Sequence, residues 1–396
     1  MMQQIFYVLG ALEVLVGLWA LVRGFQWTAM VKRRLVQHQG FYAPRVALIC
    51  PCKDSEPGLD ANLTALASQD YASYEVFFVI ARFDDAARPA IDRAIKGTRA
   101  KAHLVVAGKP ESCGEKVNNL RVAVEQLGPD FDVLVFADSD ARPGRQWLAH
   151  LVAPLADPRL GAATTFRWTM PDQGGFWSAL GAAWDASIVT MLGEHPHNFC
   201  WGGGVAIRRV VFDQAHVAAN WVGVVSDDWA MTRTLRAANR NIVFVPECLS
   251  PTLKDTSAAN LLEFTNRQIA ITRVYARDVW LAGAAVHVLY CVTFLFGLLA
   301  MALAWSNAEA LFPMALMLFL IAVLAAAKGV LRWQAVAELL PGWKQKMVKY
   351  AWAWTFLAPL VPFLYAVNFI DSAFRNRIKW RGITYELLSS TRTRIV

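Results

Sequence analysis

The stretch "FDVLVFADSDARP", residues 131–143, decides the fold. An apolar run from Val133 to Ala137 gives way at once to two aspartates that flank only Ser139. Such a short apolar run bounded by turn signals predicts a buried strand. In an extended chain, residues two apart point to the same side, so Asp138 and Asp140 face one object. Two like charges turned the same way call for a cation between them.

The same pattern recurs upstream. "RVALICPCKD" (45–54) and "YEVFFVIARFDD" (74–85) are apolar runs that end in acids, and "AHLVVAG" (102–108) is a third strand candidate. Helical stretches separate them: "GLDANLTALASQDY", "RPAIDRAIKGT" and "EKVNNLRVAVEQL", the last with Val117, Leu120, Val124 and Leu127 at helical spacing. Alternating strands and helices predict an α/β domain, a mostly parallel sheet with flanking helices. Ligands of such sheets collect beyond the carboxyl ends of the strands. Asp54, Asp84, Asp85, Asp138 and Asp140 all fall there.

The ends of the chain differ from this middle. Hydrophobic residues make up 56% of the 396 residues, too many for a soluble domain alone, and they concentrate at the termini. "IFYVLGALEVLVGLWALV" (5–22) carries one charge, Glu13, and predicts an uncleaved transmembrane anchor. "LAGAAVHVLYCVTFLFGLLAMALAW" (281–305) and "LFPMALMLFLIAVLAAAKGVL" (311–331) predict a hairpin of spans. "WAWTFLAPLVPFLYAVNFI" (352–370) is apolar but interrupted by Pro359 and Pro362. These limits divide the chain into an anchor (1–34), a mixed globular domain expected in the cytosol (35–278) and C-terminal transmembrane or interfacial helices with a basic tail (279–396).

Basic residues follow the first span (Arg23, Lys32, Arg33, Arg34), the second pair (Arg332, Lys344, Lys346, Lys349) and the last apolar stretch (Arg375, Arg377, Lys379, Arg381). The positive-inside rule puts all three clusters in the cytoplasm, so the proline-broken stretch reads as a re-entrant hairpin. The protein is therefore expected to be a multi-pass integral membrane protein, in the inner membrane if it is bacterial. The net charge of +8 borders apolar spans rather than an aromatic-interleaved groove, which argues for anionic lipid headgroups and against nucleic acid. Six cysteines show no zinc spacing, and no protein partner is readable.

The order of an acid after the second strand, "GEKVNNL" (114–120), "ADSDA" (137–141), "GGG" (202–204) and "SDDWAMTRTL" (226–235) resembles the inverting, nucleotide-sugar-dependent family-2-type glycosyltransferases. More narrowly it resembles the ceramide glucosyltransferase branch and its bacterial lipid-glycosylating relatives. The resemblance runs from about Arg45 to Asp278 and implies a GT-A-like domain joined to α-helical transmembrane segments. It implies that Asp84 or Asp85 reads the uracil of UDP, and that Lys116, Asn118 and Asn119 lie at the nucleotide. It makes Asp140 a ligand of Mg²⁺ or Mn²⁺, with Asp138 on ribose or metal.

By the same resemblance, Gly203 belongs to a loop at the donor or acceptor, where glycines permit close backbone approach and positive φ. Asp228 is the catalytic base, with Asp227 beside it to raise its pKa. An ordinary helix cap is the plain alternative for this pair. His195, in "EHPHN", and Trp201 fall on the acceptor side. The family's Gln/Arg-x-x-Arg-Trp motif is only partly present in "NRQIAITRVYARDVW" (266–280). Arg267 fits its first position, Ala270 and Ile271 stand in place of Arg-Trp, and Arg273 is a nearby substitute.

The implied activity is transfer of a hexose, glucose first, from a UDP-sugar to a lipid hydroxyl. Ceramide or a ceramide-like sphingolipid is the first acceptor; a hopanoid, diacylglycerol or polyisoprenyl lipid is the alternative. A catalytic segment continuous with apolar helices implies an acceptor that stays in the bilayer. A processive polysaccharide synthase would need more spans. A non-catalytic scaffold or transporter with a degenerate nucleotide-sugar domain has only the missing Arg-Trp in its favour.

Overall fold

A computed structural model describes residues 2–36, 40 and 42–396. The chain forms two compact units, one comprising Arg33–Thr169, Met191–Leu253 and Asn376–Val396, the other Met1–Lys32, Met170–Thr190 and Lys254–Arg375.

The first unit is built on β1 (Val46–Pro51), β2 (Tyr74–Ile80), β3 (Lys101–Val106), β4 (Val133–Ala137), β5 (Leu160–Thr164), β6 (Arg167–Met170), β7 (Gly204–Arg208), β8 (Asn241–Phe244) and β9 (Ser250–Leu253). Seven of these form one sheet in the order β3-β2-β1-β4-β7-β5-β8, while β6 and β9 make a separate ribbon. The pairs β1–β2, β2–β3, β1–β4 and β5–β8 are parallel, and β7 alone runs against its neighbours β4 and β5. The α/β expectation, a mostly parallel sheet with flanking helices, therefore holds. Strands β1 and β4 are the innermost, with Val46 to Cys50 and Val133 to Phe136 wholly buried. Burial on both faces is why they read as continuous apolar runs rather than alternating ones. The chain crosses from one half of the sheet to the other between β1 and β4, and the loops after these strands carry Asp54 and Asp138.

The C-terminal segment adds β10 (Arg377–Trp380), β11 (Ile383–Ser389) and β12 (Arg392–Ile395), an antiparallel three-stranded sheet within this unit. Arg381 and Gly382 join β10 to β11 with φ of 46° and 80°. Two residues at positive φ are what a tight hairpin turn requires. The segment expected to be only a basic tail is thus folded: Arg377 pairs with Glu386 at 3.4 Å, and Tyr385 accepts the backbone N–H of Glu115 at 3.2 Å.

The second unit is helical. Met2–Val36, Arg277–Leu303 and Ala308–Leu339 are each long and apolar enough to cross a membrane. Pro341–Phe356 and Ala358–Phe374 are bent by 42° at the break between them, where Pro359 removes a backbone donor. A broken span and a re-entrant loop both fit that geometry. Helix Ala258–Tyr275 packs in this unit with Val361–Phe374, and Asn368 Nδ2 donates to Thr265 Oγ1 at 2.9 Å.

Candidate active site

Lys116 is the centre of the site in the sheet unit. It lies in the first turn of helix Glu115–Gln126, which Gly114 admits by close approach: a Cβ there would stand 3.0 Å from the carbonyl oxygen of Val225. The ammonium lies 2.7 Å from Asp138 Oδ1, at the end of β4, and 3.3 Å from Asp227 Oδ2, and it donates to the carbonyl of Gly202 at 3.2 Å. Burial works against its charge, but Asp138, Asp227 and Asp228 outweigh it and hold the ammonium well above the usual lysine range. Burial also pushes the Asp227 carboxyl up to about 7; Lys116 opposes that rise, while Asp228 and Asp138 add to it.

The paired acids 227 and 228 open helix Asp227–Ala237 but point to different surroundings. Ser226 is the N-cap and accepts from Trp229 N–H. Asp227 is buried against Lys116, whereas Asp228 is only half-buried. Asp228 Oδ1 accepts the backbone N–H of Trp229 at 2.7 Å and the hydroxyl of Ser226. Ser226 thus caps the helix, and Asp228 adds a half-buried carboxylate in its first turn.

Gly202, Gly203 and Gly204 form the wall between these groups. None of the three has positive φ, so that part of the sequence-based explanation is corrected. What glycine supplies here is space. A Cβ on Gly202 would lie 2.6 Å from Lys116 Nζ, and one on Gly203 would lie 2.8 Å from Asp138 Oδ2 and strike the Trp201 ring. Trp201 is buried, 5.2 Å from the Phe166 ring, and its backbone N–H donates to Thr164 Oγ1 at 2.9 Å.

The two acids after β2 also divide. Asp85 Oδ1 accepts from the backbone N–H of Asp54 and of Ala87, each at 2.9 Å, tying the β1 loop to the start of helix Arg88–Gly97. Asp84 is exposed and pairs with Arg82. Asn118 Nδ2 donates to the carbonyl of Gly108 at 3.1 Å, while Asn119 is buried with its Oδ1 lacking a donor. Asp140 lies 3.7 Å from Arg167.

One site residue was not anticipated as such. Arg381, at the tip of the β10–β11 hairpin, donates to the carbonyl of Lys53 at 2.8 Å and pairs with Glu56 at 2.8 Å and with Asp54 at 4.0 Å. Burial opposes its charge, but Glu56, then Asp140 and Asp54, hold it above its ordinary value. The Arg-Gly turn between alternating apolar residues was the local signal for this hairpin.

The remaining candidates have their own local contacts. His195 is half-buried, its Nδ1 accepting the backbone N–H of His197 at 3.2 Å. Arg267 and Arg273 belong to helix Ala258–Tyr275 of the helical unit. Arg267 lies over the Phe264 ring at 5.3 Å. Arg273 donates to the carbonyls of Ala373 and Arg375, both at 3.0 Å, closing the C-terminal end of helix Val361–Phe374.

Among the described residues no group of three or more His, Cys, Asp or Glu could hold a metal ion. Asp138 and Asp140 offer hard carboxylate oxygens, and glycine at 203 spares Asp138 Oδ2 a Cβ that would stand 2.8 Å away. Such a two-carboxylate set fits Mg²⁺ or Mn²⁺ of the kind that shares its coordination with a substrate phosphate.

A mostly parallel sheet with lysine, glycines and paired carboxylates at its strand ends is the build of a nucleotide-sugar glycosyltransferase of the GT-A type. The chain belongs to glycosyl transferase family 21, whose sequence profile matches residues 10–393. That agrees with the ceramide glucosyltransferase-like resemblance read from the motifs. Among solved structures it is similar to a mannosyltransferase from Pyrobaculum calidifontis in complex with GDP-Man and Mn²⁺, at 18% identity and TM-score 0.48, covering 94% of this chain and 98% of that one. It is also similar to glucosyl-3-phosphoglycerate synthase from Mycobacterium tuberculosis in complex with Mn²⁺ and UDP-glucose, at 14% identity and TM-score 0.38, covering 59% and 83%.

Proposed function

We propose that this glycosyltransferase is a membrane-bound inverting enzyme that transfers a hexose, glucose first, from a UDP-sugar to the hydroxyl of a membrane lipid, with ceramide or a ceramide-like sphingolipid as acceptor. The observation that carries the reading is the separation of the acids at 227 and 228: one is spent on Lys116, and its neighbour stays half-buried at a helix start. Asp228 takes the proton of the acceptor hydroxyl as its oxygen attacks the anomeric carbon, opposite the departing UDP.

Asp138 and Asp140 would hold Mg²⁺ or Mn²⁺, which as a Lewis acid stabilises charge on the diphosphate. Lys116 holds Asp138 and Asp227 in place beside the Gly202 carbonyl and offers a permanent positive charge to the diphosphate. Asp84 reads the uracil imide, because Asp85 already accepts two backbone N–H groups that shape the neighbouring loop. Asn118 and Asn119 lie on the ribose side, Gly203 keeps the floor thin, and His195 and Trp201 border the acceptor. Arg267 and Arg273 are the diphosphate-side candidates of the helical unit. The catalytic part spans 35–278, between an anchor (1–34) and a C-terminal segment (279–396) of transmembrane or interfacial helices and a basic tail that folds as β10–β12, and it faces the cytoplasm.

The test follows UDP release from UDP-glucose, UDP-galactose and UDP-N-acetylglucosamine by purified protein with mixed lipid extract and Mg²⁺ or Mn²⁺. New glycolipids are identified by mass. Lipid-dependent release that disappears in Asp228→Asn supports the assignment. Equal release by both proteins, or none by either, removes it in favour of the scaffold reading.

A further inference from the structure

Among the described residues of the helical unit, Lys328 and Arg332 are neighbouring cations on one apolar helix that pair with no carboxylate. Lys328 and Arg332 lie one turn apart on helix Ala308–Leu339, so they share a face. Arg332 is 7% exposed, and its buried Nε has no hydrogen-bond acceptor. Lys328 runs its stem along the N-terminal helix: a Cβ on Gly24 would stand 4.0 Å from Lys328 Cγ.

The groups acting on the pair are the wrong ones to neutralise it. The charged group acting on Lys328 is Arg332 itself, and the group acting on Arg332 is the phenol of Tyr365. That phenol shares a hydrogen bond with Ser187 Oγ at 2.8 Å. His287 of the neighbouring helix Arg277–Leu303 has its Nδ1 engaged with the Gly283 carbonyl at 2.8 Å. Among the described residues neither cation pairs with a carboxylate. Other cations of this unit do have partners: Lys344 with Glu338 at 3.3 Å, Lys346 with Asp172 at 2.8 Å and Arg375 with Asp371 at 3.1 Å.

Two like charges withdrawn from water repel each other and demand an anion. Depth says which anion. Counted at ~1.5 Å per residue from Leu311, where the apolar run begins, Lys328 stands ~26 Å and Arg332 ~32 Å along the helix. A hydrocarbon core is ~30 Å thick, so the pair sits where the core ends and lipid phosphates begin. We infer that Lys328 and Arg332 form a binding site for the phosphate headgroup of an anionic membrane lipid, with the Arg332 guanidinium as its inner contact. This inference is independent of the sugar-transfer reading and of the neutral acceptor proposed there.

The full chain is placed in nanodiscs of phosphatidylcholine alone or with phosphatidylglycerol, and retained lipid is counted by native mass spectrometry alongside the thermal unfolding midpoint. The wild type is expected to retain phosphatidylglycerol at least tenfold over phosphatidylcholine and to melt higher when it is present. Lys328→Gln/Arg332→Gln should lose both effects and fold at least as well as the wild type in phosphatidylcholine alone, having shed an uncompensated charge. Lys344→Gln/Lys349→Gln, which removes surface charge only, should keep both. If the double variant does not fold, each single Gln variant should lose retention at least threefold. Unchanged selectivity in the Lys328/Arg332 variants, or none in the wild type, overturns the site. Reproduction of the melting shift by millimolar inorganic phosphate in phosphatidylcholine overturns the lipid assignment.

Discussion

Arg381 and Glu56 form an ion pair at 2.8 Å, joining the C-terminal hairpin to the loop that follows the first strand of the sheet. That loop carries Asp54 and Gly58 at φ of 59° and 81°, a shape that needs support from outside itself. Arg381 supplies it by also donating to the Lys53 carbonyl. Because both partners are partly exposed, the pair itself is worth only ~1 kcal/mol of stability. The larger effect should be on donor binding. Arg381→Ala is expected to raise KM for the nucleotide sugar ~3–10-fold with a smaller change in kcat, and Arg381→Lys to restore part of it, since the charge returns but the forked geometry does not. Steady-state kinetics at saturating lipid separates the two parameters. A variant with unaltered KM would reduce Arg381 to a surface pairing.

Lys116 should be the costliest residue in the sheet unit to neutralise. Lys116→Met leaves Asp227 buried without its cation, a change that typically costs ~3–5 kcal/mol. Asp227 can escape by taking a proton, so the cost should be larger at pH 8 than at pH 6. The wild type shows the same chemistry. The native Asp227 carboxyl holds its proton up to about 7, whereas its ordinary value is 3.8. Between those two values the native state binds the extra proton, and this group's contribution to stability falls as pH rises through that window. Asp227→Asn removes that slope, and combined with Lys116→Met it should recover most of the loss. Unfolding midpoints across pH 5–8, without nucleotide or metal, measure all four proteins.

The glycine wall predicts a steric series. Gly203→Ala puts a methyl group 2.8 Å from Asp138 Oδ2 and into the Trp201 ring, so one of the two must move. Overpacking of this kind costs ~1–3 kcal/mol, and here the displaced carboxylate belongs to the site. Activity should fall by ~10-fold or more. Gly128→Ala, where nothing lies within 4 Å, should leave activity as it was. Parallel turnover assays on the two variants decide it.

Local pattern made the sheet legible wherever one segment carried its own evidence. Val133 to Phe136 had to be central, because only a strand covered on both faces loses its polar alternation. The break at Pro359 was legible for the same reason, a missing donor being a property of one residue. What escaped was pairing across distance. Nothing near Arg381 announces that its partners follow β1, and the segment was expected to be a basic tail, its Arg-Gly turn unread as a hairpin. The division of labour between Asp84 and Asp85 was equally hidden, since it rests on whose backbone N–H groups are within reach. At Gly202 to Gly204 the residue type was noticed and the reason was not: glycine serves there for packing against Lys116 and Asp138, not for positive φ.

Asp228→Asn separates base from cap. The amide oxygen of asparagine can still accept the N–H of Trp229 and the hydroxyl of Ser226, so the start of helix Asp227–Ala237 should persist and the unfolding midpoint should barely move. What asparagine cannot do is take a proton from an attacking hydroxyl. General-base assistance contributes ~10²–10⁴-fold, and kcat should fall by that factor while donor affinity, measured by UDP binding, stays within about twofold. Asp228→Ala removes the acceptor for Ser226 and Trp229 while leaving the Ser226 cap, and should add ~1 kcal/mol of destabilisation to the same kinetic loss. Retained turnover in the asparagine variant would make Asp228 a cap alone. Lost UDP binding would instead move its role from the acceptor proton to the donor.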